Sequence, residues 1–228
     1  MATSSSKRTI LQQGQLDGFC LLYAVLNGFS AIYPGIITSD QPSNHQKTLW
    51  RRLIGVTPSL QNFASFGSSI TDIPKTADVD ACIKESLMNQ YAEVLSHWLR
   101  DERHNKTRYS RVEIELVSKS EPSDIRTWYN SMLSSPFPEN CAYIACLKEC
   151  KSRVLEYGPT NEHWIAIVGN TGKKLGVACS YTAHHRGDDY KECILETGQQ
   201  KRAYNNLITK RLTSTSVFSD SRYRISIC

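Results

Sequence analysis

The densest apolar stretch of the chain starts at Phe19 and runs through Cys20, Leu21, Leu22, Tyr23, Ala24, Val25, Leu26, Phe29, Ile32 and Tyr33. It leaves no polar face on a helical wheel, and a helix that is apolar all round is buried on all sides. Asp17-Gly18 opens this helix and Pro34-Gly35 stops it, with Asn27-Gly28 offering an earlier end. The pattern between residues 36 and 77 is different. It is rich in Ser, Thr, Pro and Gly, with one short helical candidate near His45–Ile54.

The clearest helix runs from Asp78 to about Arg100, where Val79, Ile83, Leu87, Tyr91, Val94, Leu95 and Trp98 recur at three- and four-residue steps. Arg111–Val117 alternates as a strand. Ser123–Leu133 gathers Ile125, Trp128, Tyr129, Met132 and Leu133 on one helical face, with Ser123 as the predicted cap. Beyond Pro136 and Pro138, Cys141–Leu147, His163–Val168 and Leu175–Tyr181 read as strands, and Asn170-Thr171-Gly172 turns between the last two. The tail from Asn206 has weaker strand character. Helices first and a sheet last predict an α+β fold in which a buried N-terminal helix packs on a C-terminal antiparallel sheet. The simplest organisation is one domain over residues 1–228, with 1–9 disordered and 36–135 forming a helical insertion or lobe.

Composition narrows the function classes. With 228 residues, the chain can bury a sizeable core without disulfide or metal staples. Its net charge of +5 comes from scattered basic doublets such as Arg51-Arg52 and Lys210-Arg211, which read as solvated faces. Nucleic acid is therefore not an expected partner, since binding it would need those charges on one surface. No stretch approaches the ~20 apolar residues that span a bilayer. The N-terminus lacks a signal-peptide core and a myristoylation glycine, which predicts a cytoplasmic protein or one secreted without a cleaved signal. The eight cysteines show no pair of Cys-x-x-Cys hooks. Cys141 and Cys146, five apart on a strand, face opposite sides and cannot share a metal. Reduced structural cysteines are expected, with no metal and no cofactor.

Cys20 differs from the other cysteines. It lies just inside the N-terminus of the buried helix, where free backbone amides favour the thiolate and can also hold an oxyanion. Gly18 allows close approach to the sulfur, whereas the charge of Asp17 would oppose a thiolate. A cysteine nucleophile needs a base that is distant in sequence and adjacent in space. Of six histidines, His45 and His104 sit in polar loops, His97 lies inside the long helix, and His184-His185 lies in a charged loop. His163 opens the apolar strand Trp164-Ile-Ala-Ile-Val168, a rigid element that can hold an imidazole against a helix tip.

The segment Gln15-Leu-Asp-Gly-Phe-Cys20-Leu-Leu-Tyr-Ala-Val-Leu-Asn27 resembles the active-site helix of papain-like cysteine hydrolases, in particular C39-like peptidases. Its Asp-Gly-x-Cys opening is similar to that of the ovarian-tumour deubiquitinases. His163–Val168 looks like the matching histidine strand, a layout shared with bacterial effector deamidases. The likeness covers about a third of the chain and leaves residues 36–135 unmatched.

The resemblance implies Cys20 as nucleophile, His163 as general base and later general acid, and Gln15, with Gln13 as competitor, as oxyanion donor. Gly18 and Trp164 would flank the substrate. The family's third member, an Asn or Asp on the next strand, is missing. That strand reads Leu175-Gly-Val-Ala-Cys179-Ser180-Tyr181, with only the weak acceptors Cys179 and Ser180, and Asp188 and Asp189 come later. A working dyad, a displaced acid and an inactive relative all remain open. The expected activity is thiol hydrolysis of an amide-type bond in a protein substrate, as a protease, a deamidase or a deubiquitinase acting on a ubiquitin-like substrate. An effector or toxin role fits this. The alternative is a papain-like binding protein.

Overall fold

The computed structural model describes residues 8–10, 20–33, 44–57, 77–101, 109–117, 124–134, 136–138, 140–147, 163–170, 175–178, 193–195 and 217–228. Four helices fall where apolar periodicity predicts them: α1 (Cys20–Ile32), α2 (Asn44–Val56), α3 (Ala77–Arg100) and α4 (Ile125–Ser134). The strands are β1 (Arg8–Ile10), β2 (Val112–Leu116), β3 (Cys141–Leu147), β4 (His163–Asn170), β5 (Leu175–Ala178), β6 (Cys193–Leu195) and β7 (Val217–Ile227). Five of them form one antiparallel sheet in the order β2-β7-β3-β4-β5, and β1 pairs with β6. The architecture is α+β. Arg8 and Thr9, placed in a disordered leader by sequence, lie in β1.

The sheet carries a core on each face. Ala142, Ile144 and Cys146 of β3, with Trp164, Tyr223, Ile225 and Ile227, share a core with α1, α2 and α3. The alternate residues Cys141, Tyr143 and Ala145, with Ile165 and Ile167, pack with Ile125, Trp128 and Met132 of α4. This period-two separation is what a pleated strand imposes when both faces are covered. It also puts Cys141 and Cys146 in opposite cores.

In α1, 12 of the 13 residues are buried, because the helix is covered from two sides. It packs on β4, β3 and β7. On its other side Tyr23 meets Trp50 of α2 with ring centroids 4.7 Å apart, and Phe29 and Tyr33 each set an edge contact on Trp98 of α3. Each fully buried Leu, Val or Phe of α1 contributes about 1.5–3 kcal/mol relative to exposure. Asn27-Gly28 does not end this helix. A Cβ at Gly28 would stand 3.3 Å from Ile225 Cγ2 and 3.7 Å from Ile144 Cγ1, so the bare glycine lets the helix press onto β3 and β7.

Polar contacts fix the layer above α1. Thr57 Oγ1 donates to Leu53 O at 2.8 Å and shares a 2.8 Å hydrogen bond with the Tyr91 hydroxyl, tying α2 to α3. Burial pushes the Tyr91 phenol well above its usual range. The Val112 amide donates to Ser96 Oγ at 2.8 Å, tying α3 to the edge strand β2.

Two expectations are corrected. The cap of α4 is Asp124, whose Oδ2 accepts the Thr127 amide at 2.7 Å; Ser123 lies outside the described residues. An aspartate one turn upstream of that amide reaches it directly. The weak-looking tail holds β7, which sits between β2 and β3 inside the sheet. Its polar residues conceal this, since Arg222 is fully buried with its guanidinium 5.1 Å from the centroid of the Trp128 ring.

Gly28→Val should lower stability by about 2 kcal/mol in urea unfolding, because the added methyls have no room beside Ile225. The Asp124 carboxyl is held below its usual range, first by the Thr127 amide. Its stabilisation is therefore present above the unfolded-state value and disappears as pH falls through the lower native value. Asp124→Ala should reduce Tm at neutral pH, and the difference from wild type should shrink as pH falls through the lowered native value of the carboxyl.

Candidate functional site

Cys20 is the first residue of α1 and is 3% exposed. No acidic residue occupies the first turn, whose amides have no intrahelical acceptor. Cys20, Cys141, Cys146 and Cys228 are thiols rather than disulfides. Gly28 fixes the C-terminal half of α1 over β3 and β7, and the helix also packs on β4, the strand that His163 opens.

His163 pairs in register with Leu147, the last residue of β3, and Leu147 also lies opposite Val217, the first residue of β7. One end of the sheet thus collects the end of β3 and the starts of β4 and β7. Between Ala145 and Leu147 the β3–β7 register slips from Arg222 to Val217, a bulge that pushes residues 218–221 out of the ladder. Such irregularities commonly re-aim side chains next to sites.

This end is lined by polar groups that sequence reading missed. Lys84 Nζ of α3 donates to Ser221 Oγ at 3.2 Å, and Ser221 is almost completely buried. The phenol of Tyr223 is raised far above its usual range, first by burial and then by Asp220, Glu85 and Cys146. Lys84 and Ser221 lie 137 positions apart in the chain, and no local pattern joins them. Tyr223, Cys146, Trp164 and Cys20 belong to one core. Trp164, opposite Cys146 in register, is 1% exposed and has its ring 6.2 Å from that of Tyr223.

The remaining predicted site residues are placed less completely. Gln13, Gln15 and Gly18 lie outside the described residues, as do Cys179, Ser180, Asp188 and Asp189. The described part of β5 ends at Ala178, opposite Ala166, so Cys179 and Ser180 follow it in the chain. His97 is exposed on α3, with Nε2 3.8 Å from Glu93 Oε1. A groove of about 450 Å³ between α3 and β2, lined by Glu93, Arg100 and Arg111 among others, lies toward the sheet edge opposite β5. Among the described residues no helix is long and apolar enough to cross a membrane.

No known family model, curated protein or solved structure matches this chain.

The other cysteines supply an internal scale for Cys20. Cys228 is exposed, and its thiol is raised, first by burial of the group and then by the charge of Glu113. At neutral pH, iodoacetamide should label Cys228 more slowly than free cysteine and leave Cys141 and Cys146 unlabelled. Glu113→Gln should speed Cys228 labelling a few-fold, as peptide mass spectrometry would show, because removing a negative charge favours the thiolate.

Proposed function

We propose that this chain is a papain-like thiol hydrolase that cleaves an amide-type bond in a protein substrate. The observation that carries the reading is that Cys20 starts a buried helix packed on the very strand opened by His163. A thiolate at a helix start is a preactivated nucleophile, and a histidine on a rigid strand is a suitable base. In this reading the Cys20 sulfur bonds to the carbonyl carbon, the amine leaves with a proton from His163, and water then releases the acyl group from the thioester. Free amides of the first turn and, by resemblance, Gln15 or Gln13 hold the oxyanion. Peptide cleavage, isopeptide cleavage and side-chain deamidation share these steps and differ in the amine that leaves.

One observation favours a second reading, a papain-like binding module without catalysis. The β4 residue in the α1-side core is Trp164, whereas Ile165 and Ile167 line the α4 side. Ala166 packs with Ile165 and Ile167, so the dyad needs position 163, the first of the strand, to share the side taken by its neighbour Trp164. Strand ends tolerate such departures from alternation more readily than strand centres.

A single experiment separates the readings. Wild type, Cys20→Ala and His163→Ala are incubated with a cell-derived protein mixture, and products are read by mass spectrometry as new peptide N-termini, released ubiquitin-like chains, or glutamine converted to glutamate. The hydrolase reading expects one product class from wild type, reduced about 10³-fold or more in both variants. Full product formation by either variant contradicts the dyad, and no product from wild type favours the binding module. Cys20→Ala should fold, because shortening one small buried side chain leaves little cavity; circular dichroism checks the fold of His163→Ala.

A further inference from the structure

Buried polar groups are almost always hydrogen-bonded, so each exception asks for an explanation. Trp164 is such an exception: the residue is 1% exposed, and its Nε1–H finds no acceptor among the described residues. The indole is held in place by the Tyr223 ring 6.2 Å away and by its position opposite Cys146. It lies in the core that also contains Cys20, beneath the helix that Cys20 begins. A fixed donor without an acceptor, in the same core as a thiol at a helix start, is an arrangement that a carbonyl oxygen can complete.

We propose that the Trp164 indole N–H donates a hydrogen bond to the carbonyl oxygen of the bond attacked by Cys20, and to the oxyanion that the attack creates. This deepens the hydrolase reading and rests on it. When the sulfur bonds to the carbonyl carbon, the π electron pair moves onto oxygen. Collapse of the intermediate restores the C=O bond and expels the leaving group with its electron pair. Trp164 gains and loses no proton in these steps. Its N–H donates throughout, more strongly to the charged oxygen than to the neutral one, and that difference lowers the barrier. The donor comes from β4, whereas the helix amides come from α1, so the two approach the oxygen from different elements.

The test contrasts two reagents at the same sulfur. p-Nitrophenyl acetate acylates a thiolate through an oxyanion, whereas iodoacetamide alkylates it by displacing iodide and forms none. In Trp164→Phe, acylation of Cys20 should fall about 10²-fold while its alkylation rate stays at the wild-type value. Equal rates for both reagents in variant and wild type overturn the donor role. A parallel fall in both rates also overturns it, since a packing defect would act on both reactions. Wild-type Cys20 that alkylates but never acylates overturns the hydrolase reading together with the donor role, which separates that failure from one seen only in the variant.

Should Trp164→Phe fail to fold, the wild type carries the test by NMR of its four indole N–H groups. Adding N-acetyl-phenylalaninal, an aldehyde that forms a hemithioacetal with a reactive thiol, should shift one indole signal downfield in wild type and none in Cys20→Ala. No shift in wild type overturns the proposal.

Discussion

The structure depends on the burial of one helix from two directions. α1 lies between a five-stranded sheet and the α2–α3 layer, so almost every residue on it must be apolar or small. Gly28 sets how closely it approaches β3 and β7, while Tyr23, Phe29 and Tyr33 fill the space toward Trp50 and Trp98. A helix clamped in this way cannot slide or rotate without opening both interfaces. Its first residue is therefore held firmly relative to the strands below, and that residue is Cys20. In the proposed hydrolase this firm placement of Cys20 matters, because misplacement of about 1 Å can cost on the order of 10²-fold in rate.

Much of the fold was legible because the layers are amphipathic in the ordinary way. α3 and α4 show three- and four-residue spacing, and α1 announces its burial by lacking a polar face. β3 and the apolar part of β4 are continuous apolar runs, as expected of strands covered on both faces. β7 was the main element under-read. Its second half alternates Tyr223, Ile225 and Ile227 with Arg222, Arg224 and Ser226, which suggests one solvated face. That face is instead covered at Arg222, whose guanidinium lies over the Trp128 ring of α4, while Arg224 stays part-exposed and pairs with Glu115. Sequence periodicity shows which residues share a face and is silent on what covers it. The cap of α4 was missed by one position for a simpler reason, since Ser123 and Asp124 are both good caps and only geometry chooses.

The candidate site divides along the same line. Cys20 and His163 stood out because each begins an element, a local property that sequence carries. Lys84, Ser221 and Tyr223 did not, because they come together only through the register of β7 and its bulge against β3. Trp164 was legible as a neighbour of His163, but its placement in the α1-side core with an unsatisfied indole emerged only from the packing. β4 packs on α1 and places Trp164 in the α1-side core, so the proposed dyad depends on how the first residue of β4 leaves the pleat.

The most direct test is the pH dependence of Cys20 alkylation in wild type and in His163→Ala, followed by peptide mass spectrometry with Cys228 as the exposed reference. An activated pair predicts that wild-type Cys20 reacts well below pH ~8.5, the range of an ordinary thiol, and that this low-pH reactivity vanishes without the imidazole. A Cys20 that titrates as an ordinary thiol, or whose profile is the same in both proteins, would contradict the pairing of α1 and β4 as a catalytic unit.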